Sequence, residues 1–238
     1  MTSLQLTDTV GALVRDYPSL AALFETAEID YCCGGRQTLA EACAQRGIDA
    51  QTFLKELEAA IETAPEPAIA DLSLTALVDH IETVHHAYLQ RELPRLEAQA
   101  EKVAAVHGSR DARLQQLHAT VVALAAELKT HLQKEEQVLF PRLRQLEKNY
   151  DQAVDVLIPA AIDCMQREHT ETGVALTQLR RLSDGFTPPE WACNTYRVLL
   201  AGLLSLEKDL HQHIHKENNL LFPKAIALLE AKRLACAS

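Results

Sequence analysis

His131-Leu132-Gln133-Lys134-Glu135-Glu136-Gln137-Val138-Leu139-Phe140-Pro141-Arg142 recurs as His213-Ile214-His215-Lys216-Glu217-Asn218-Asn219-Leu220-Leu221-Phe222-Pro223-Lys224, with six of the twelve positions identical. In each copy a His precedes a Glu by four residues. On an α-helix that spacing stacks the two side chains on one face, one turn apart. Two such pairs on two helices of one bundle can converge on a pair of metal ions.

Working outward from the repeat, the apolar pattern is helical and not alternating. Leu124, Leu128, His131, Glu135, Val138 and Leu139 form one stripe, and Leu206, Leu210, His213, Glu217, Leu220 and Leu221 form its counterpart. Four long helices are predicted, over 72–106, 110–148, 150–183 and 188–231. Val106-His107-Gly108-Ser109, Asn149-Tyr150-Asp151 and Ser183-Asp184-Gly185 separate them, and Thr187-Pro188-Pro189-Glu190 opens the fourth. Short connections imply antiparallel neighbours, hence an up-down-up-down bundle. Pro94, Pro141, Pro159 and Pro223 fall inside these segments, where kinks are expected.

The other two helices each place a histidine in phase with the apolar stripe. His86 shares a face with Val78, Leu89 and Leu93, and His169 aligns with Ile162, Met165 and Leu176. His86 precedes His131 by 45 residues and His169 precedes His213 by 44, so the chain is two similar hairpins. A lone His-x-x-x-Glu is more often a hydrogen-bonded pair than a ligand pair. Two copies, with a matching histidine on each remaining helix, point to a dinuclear metal site held by His86, His131, Glu135, His169, His213 and Glu217. Imidazole and carboxylate suit iron, and no thiolate is in phase to favour zinc or copper(I). Two ferric ions bridged by both glutamates and an oxo group keep a residual positive charge, which attracts small anionic or electron-rich ligands. His85 lies nearer the edge of the face, in reach of the ligands' surroundings. His80, His107, His118, His211 and His215 read as surface residues.

The rest of the composition narrows the class. The 238 residues carry a net charge of -10, which argues against a basic nucleic-acid-binding surface. The N-terminus shows no signal-peptide pattern, and the longest apolar stretch, around Val198 to Leu206, is too short to span a bilayer, so a cytoplasmic protein is expected. The six cysteines are scattered apart from Cys32-Cys33, with no CxxC, so neither a disulfide framework nor a zinc ribbon is proposed.

Residues 1–62 read as a small helical domain. Thr7 or Asp8 caps a helix over 9–16, and Pro18-Ser19 restarts a helix carrying Leu20, Leu23 and Phe24. Asp30-Tyr31-Cys32-Cys33-Gly34-Gly35 forms a turn. Thr38 and Glu41 form a capping box, and a last helix covers 50–62. So small a core is marginal alone. Residues 63–71, with Pro65 and Pro67, read as a linker, and 72–232 as the bundle. Cys32 and Cys33, beside two glycines in a turn, are expected to be accessible.

Both copies of the repeat, with His85-His86-Ala87-Tyr88 and Glu92-Leu93-Pro94-Arg95-Leu96, resemble the hemerythrin-like domain of the iron-sulfur cluster repair family (Repair of Iron Centres). Thr9-Val10-Gly11 and Ala27-Glu28-Ile29-Asp30-Tyr31-Cys32-Cys33-Gly34-Gly35 resemble that family's N-terminal cysteine-containing domain. The resemblance implies an all-α, hemerythrin-like bundle behind a small helical domain. It implies a cytosolic protein with two non-haem iron ions that restores iron-sulfur clusters damaged by nitric oxide or oxidants, by donating iron. The family's ligand pattern falls on the same six residues. Cys32 and Cys33 are then candidates for redox or iron-transfer roles. Damaged iron-sulfur proteins, small ligands such as nitric oxide or oxygen, and a second copy of the chain are the candidate partners. Alternative readings are a di-iron nitric oxide reductase or peroxidase, or an oxygen or nitric oxide sensor. Oxygen-carrying hemerythrins resemble a bundle whose third helix offers His-x-x-x-His. Here Gly173 follows His169 by four; it reads either as space beside the metals with one ligand fewer, which would favour reversible iron release, or as a site of tight helix packing.

Overall fold

The computed structural model describes residues 4–61, 69–149 and 157–236. The predicted linker's Thr63–Ala68 and the Tyr150-Asp151 junction lie outside the described residues. The chain is all-α, a four-helix bundle preceded by a small helical domain; among the described residues the only β-type pairing is an isolated bridge between Thr9 and Thr38. Two compact units divide it: Met1–Val78 with His211–Ser238, and Asp79–Leu210. None of the described helices is long and apolar enough to cross a membrane.

In the first unit, the helices Val10–Asp16, Ala21–Thr26, Leu39–Arg46 and Ala50–Ile61 follow from local signals. Thr9, and not Thr7 or Asp8, caps the first, its Oγ1 accepting from the Ala12 amide at 3.4 Å. Asp8 instead accepts from the Gln5 amide at 2.7 Å, which turns the chain before the cap. Thr38 and Glu41 form the expected capping box, with Thr38 N–H to Glu41 Oε2 at 2.9 Å. That helix ends at Gly47, whose φ of 68° is left-handed and open to glycine at little cost. Phe24, Leu20, Leu39 and Leu57 are fully buried, and Phe24 meets Phe53 edge-on at 5.7 Å. Ile214 joins this core, so the small domain borrows apolar surface from the middle of the long C-terminal helix.

In the second unit, one continuous core runs through parts of all four bundle helices, including Leu89, Leu96, Leu117, Leu124, Leu179 and Leu203. The helices run Leu74–His107, Arg113–Lys148, Leu157–Leu182 and Asn194–Cys236, the first and last extending into the other unit. A Cβ on Gly202 would stand 2.7 Å from Leu96 Cδ2, so this glycine permits close packing of the first and fourth helices. The fourth helix starts at Asn194, six residues after the predicted start at 188. Pro189 disfavours helical backbone at Pro188, and a turn closed by Ala192 N–H to Pro189 O at 2.9 Å takes its place.

Three of the helices widen into π-helical turns, at Glu82–His86, Glu135–Leu139 and Glu217–Leu221. The amides of Phe140 and Phe222 reach back five residues, to the carbonyls of Glu135 and Glu217. Pro141 and Pro223 lack an N–H and would clash with the carbonyl four residues earlier in a regular helix, which a wider turn relieves. The extra residue shifts the phase of the apolar stripe. Val138, expected inside, is 42% exposed, while Leu139 is buried.

Candidate metal centre

Within the second unit, His86, His131, Glu135 and His169 are all buried. His86 Nε2 lies 3.3 Å and His131 Nε2 3.5 Å from Glu135 Oε2, and His169 Nε2 lies 3.2 Å from His131 Nε2. One ligand atom from each of His131, Glu135 and His169 falls within 4.8 Å of the others. Glu135 is wholly buried, yet neither oxygen accepts a hydrogen bond from the described residues. An ionised carboxylate in that position costs several kcal/mol unless a positive charge sits beside it. The donor set, imidazole nitrogens converging on such a carboxylate, fits a cation.

The rings are oriented by carboxylates that sequence reading missed. His86 Nδ1 meets Glu136 Oε1 at 2.8 Å, and His131 Nδ1 meets Glu168 Oε2 at 2.8 Å. Each contact turns Nε2 toward Glu135, the usual outer-shell arrangement of metal-ligating histidines. Phe140 stacks on His86, with centroids 5.5 Å apart. Burial pushes the Glu168 carboxyl up, but Lys134 and His131 outweigh it and hold it below its ordinary range. The available signal was adjacency: Glu136 follows Glu135 and Glu168 precedes His169. A cleft of about 350 Å³, lined by Thr130, His131, Lys134, Glu168 and Glu171 among others, opens beside this half. His85 is buried and pairs with Asp209 at 2.9 Å.

Within the first unit, His213 Nε2 and Glu217 Oε1 stand 3.0 Å apart, both buried. The neighbouring residues overturn two sequence expectations. His215, read as a surface residue, is 4% exposed, packs edge-on against Tyr31 with centroids at 5.4 Å, and lies 3.4 Å from the Tyr31 carbonyl. Burial pushes its pKa down to about 4, so it is neutral. His211 is half-buried and pairs with Glu25 at 2.8 Å. Both are covered because the N-terminal domain packs over this stretch of helix, a long-range fact that local phase does not contain.

The second correction concerns Cys32, which is buried and not accessible; Cys33 is half-buried. Their sulfurs stand 3.8 Å apart, against about 2.05 Å for a disulfide. The contact with Cys33, followed by burial, pushes the Cys32 thiol well above its ordinary range. Asp30 organises the turn by accepting from the amides of Cys32, Cys33 and Gly34 at 3.0, 2.9 and 2.9 Å. One ligand atom from each of Asp30, Cys32 and Cys33 lies within 4.8 Å of the others. Cys43 is buried in the domain core.

Comparison with known proteins matches residues 77–225 to the hemerythrin HHE cation binding domain and residues 6–61 to a domain of unknown function, DUF542. The chain is 36% identical over 218 residues to the iron-sulfur cluster repair protein YtfE of Escherichia coli O157:H7, covering 92% of this chain and 96% of that protein. It is 35% identical, with the same coverage, to YtfE of E. coli O17:K52:H18 and of E. coli O6:K15:H31. Both domains occur here in order over nearly the full length of these relatives, and the HHE match spans the His/Glu groups described above. The chain therefore belongs to the family of iron-sulfur cluster repair proteins in which a DUF542 domain precedes a hemerythrin HHE cation-binding domain.

Proposed function

We propose that the chain holds two iron ions through His86, His131, Glu135, His169, His213 and Glu217, and serves in the repair of iron-sulfur clusters damaged by nitric oxide or oxidants. The observation that carries this is Glu135, a wholly buried carboxylate without a hydrogen-bond donor among the described residues, faced by two imidazoles whose far nitrogens are tied to Glu136 and Glu168. The internal repeat makes Glu217 its counterpart, so that the two glutamates would supply negative charge to the bound ions from two helices. Bound iron would supply a redox-active Lewis acid with open coordination positions. The chain's own residues do the rest. Glu136 and Glu168 fix the tautomers of His86 and His131, and burial keeps bulk water from the carboxylates. An all-nitrogen and oxygen donor set holds Fe(II) less firmly than copper or zinc, which suits iron as a cargo to be handed on.

In this reading the partners are damaged iron-sulfur proteins of the cytosol, and the working condition is nitrosative or oxidative stress. Cys32 and Cys33 take part in redox chemistry or iron transfer. Reduced protein mixed anaerobically with apo-ferredoxin and a ferrous chelator should transfer iron to the apo-protein, with and without nitric oxide. Absence of transfer would refute donation. Repeated turnover of nitric oxide to nitrous oxide would support the enzymatic reading, which the cleft beside His131 favours by giving small molecules a way in. A Cys32→Ser/Cys33→Ser variant should keep two irons and restore damaged clusters more slowly; unchanged restoration would make the pair structural.

A further inference from the structure

Asn219 lies two residues beyond Glu217, inside the π-helical turn Glu217–Leu221. Its amide nitrogen is 3.3 Å from the Tyr31 carbonyl, 3.5 Å from the Cys32 carbonyl and 3.1 Å from His215 Nδ1. Asn218 donates to the Cys32 carbonyl at 3.2 Å. On the other side, a Cβ on Gly11 would stand 2.6 Å from Asn219 Oδ1, and one on Gly35 would stand 2.8 Å from the same oxygen. Gly11 N–H donates to Gly35 O at 2.9 Å, so the two glycines form a single wall. Gly34-Gly35, which the sequence explains as a turn, thus has a second use. With Gly11, Gly35 lets backbone close on the Asn219 side chain.

A π turn is a local departure from regular helix; Pro223 accounts for its presence, as Pro141 does in the first repeat, and the contacts around Asn219 bear on how firmly it is held. Here the carboxylate-bearing turn is gripped by the backbone that carries Cys32. The corresponding residue of the first repeat, Gln137, is exposed.

We infer that Asn219 is a positioning residue for Glu217, through which the N-terminal domain braces the metal-holding turn and sets how firmly iron is retained. This rests on the reading of Glu217 as a ligand. The domain then acts as a structural part of the centre as well as the carrier of two cysteines. Weakening the grip, by mutation or by a client that engages the Cys32 turn, should speed iron loss.

The test compares full-length wild type, Asn219→Ala, Gly35→Ala and Gln137→Ala, each checked for folding by circular dichroism. Two quantities are measured: the rate of Fe(II) loss to a chelator, and the hydrogen exchange of the Phe222 amide in metal-free protein. Asn219→Ala and Gly35→Ala should release iron several-fold faster and exchange Phe222 faster, while Gln137→Ala matches wild type. Wild-type exchange and iron release in folded Asn219→Ala and Gly35→Ala would overturn the inference. A wild type that holds no paired iron would overturn the ligand reading itself. That failure is distinguishable, because faster Phe222 exchange in Asn219→Ala would still report the brace.

Discussion

The two copies of the repeat share a buried His/Glu pair and differ in what surrounds it. In the first, Gln133, Gln137 and Val138 face solvent, and carboxylates orient the histidines. In the second, the matching His215 and Leu220 are buried and Asn219 is half-buried. Tyr31 and the backbone of the Cys32 turn stand against His215 and Asn219. The identical positions, His, Lys, Glu, Leu, Phe and Pro, are those the helix face and the π turn need in both places. At Gln133/His215 and Gln137/Asn219 the difference follows the environment: solvent on one copy, the small domain on the other. Divergence at these positions therefore records an interface, while the constant part keeps the buried His/Glu pair of each copy.

The sharpest way to break this comparison is to remove a ligand common to both copies. Glu135→Leu or Glu217→Leu should abolish the paired-iron signature in Mössbauer spectra of anaerobically purified protein, since each carboxylate is proposed to serve both ions. His86→Leu should leave residual iron, because a terminal histidine serves one. Equal iron content in wild type and Glu135→Leu would contradict the ligand reading.

Next in size is the core of the docked domain. Phe24 is wholly buried between Tyr31 and Phe53. Phe24→Ala should destabilise the domain by about 3–5 kcal/mol in denaturant titration. A loss below about 1 kcal/mol would mean that the domain holds together by other means.

The smallest effect separates the copies most directly. His215→Gln disturbs a buried, packed site and should cost about 1–3 kcal/mol. Gln133→His, the reciprocal exchange on the exposed copy, should stay within about 0.5 kcal/mol. Equal effects would show that the two environments do not differ energetically.

Much of this was legible because it is periodic or local. The 3.6-residue spacing placed His86, His131, Glu135, His169, His213 and Glu217 on inward faces, and all six are buried. The Thr38/Glu41 capping box needs only three residues of context, and it formed as read. Val138 shows where periodicity fails, because the π turn at Glu135–Leu139 changes the angle between successive residues there. The late start of the fourth helix shows the same for Pro188-Pro189, which read as an opening but act as a turn.

The sequence by itself determined the helical class, the repeat, and the residue types that point to a metal, because these depend on order and spacing along one chain. The tertiary structure alone decided which carboxylates orient the histidines, since Glu136 and Glu168 lie 50 and 37 residues from the rings they hold. It also decided that Cys32 and His215 are buried. His215 meets Tyr31 from 184 residues away and Cys32 meets Asn218 from 186, and burial is a property of what packs on a residue, which no local pattern encodes.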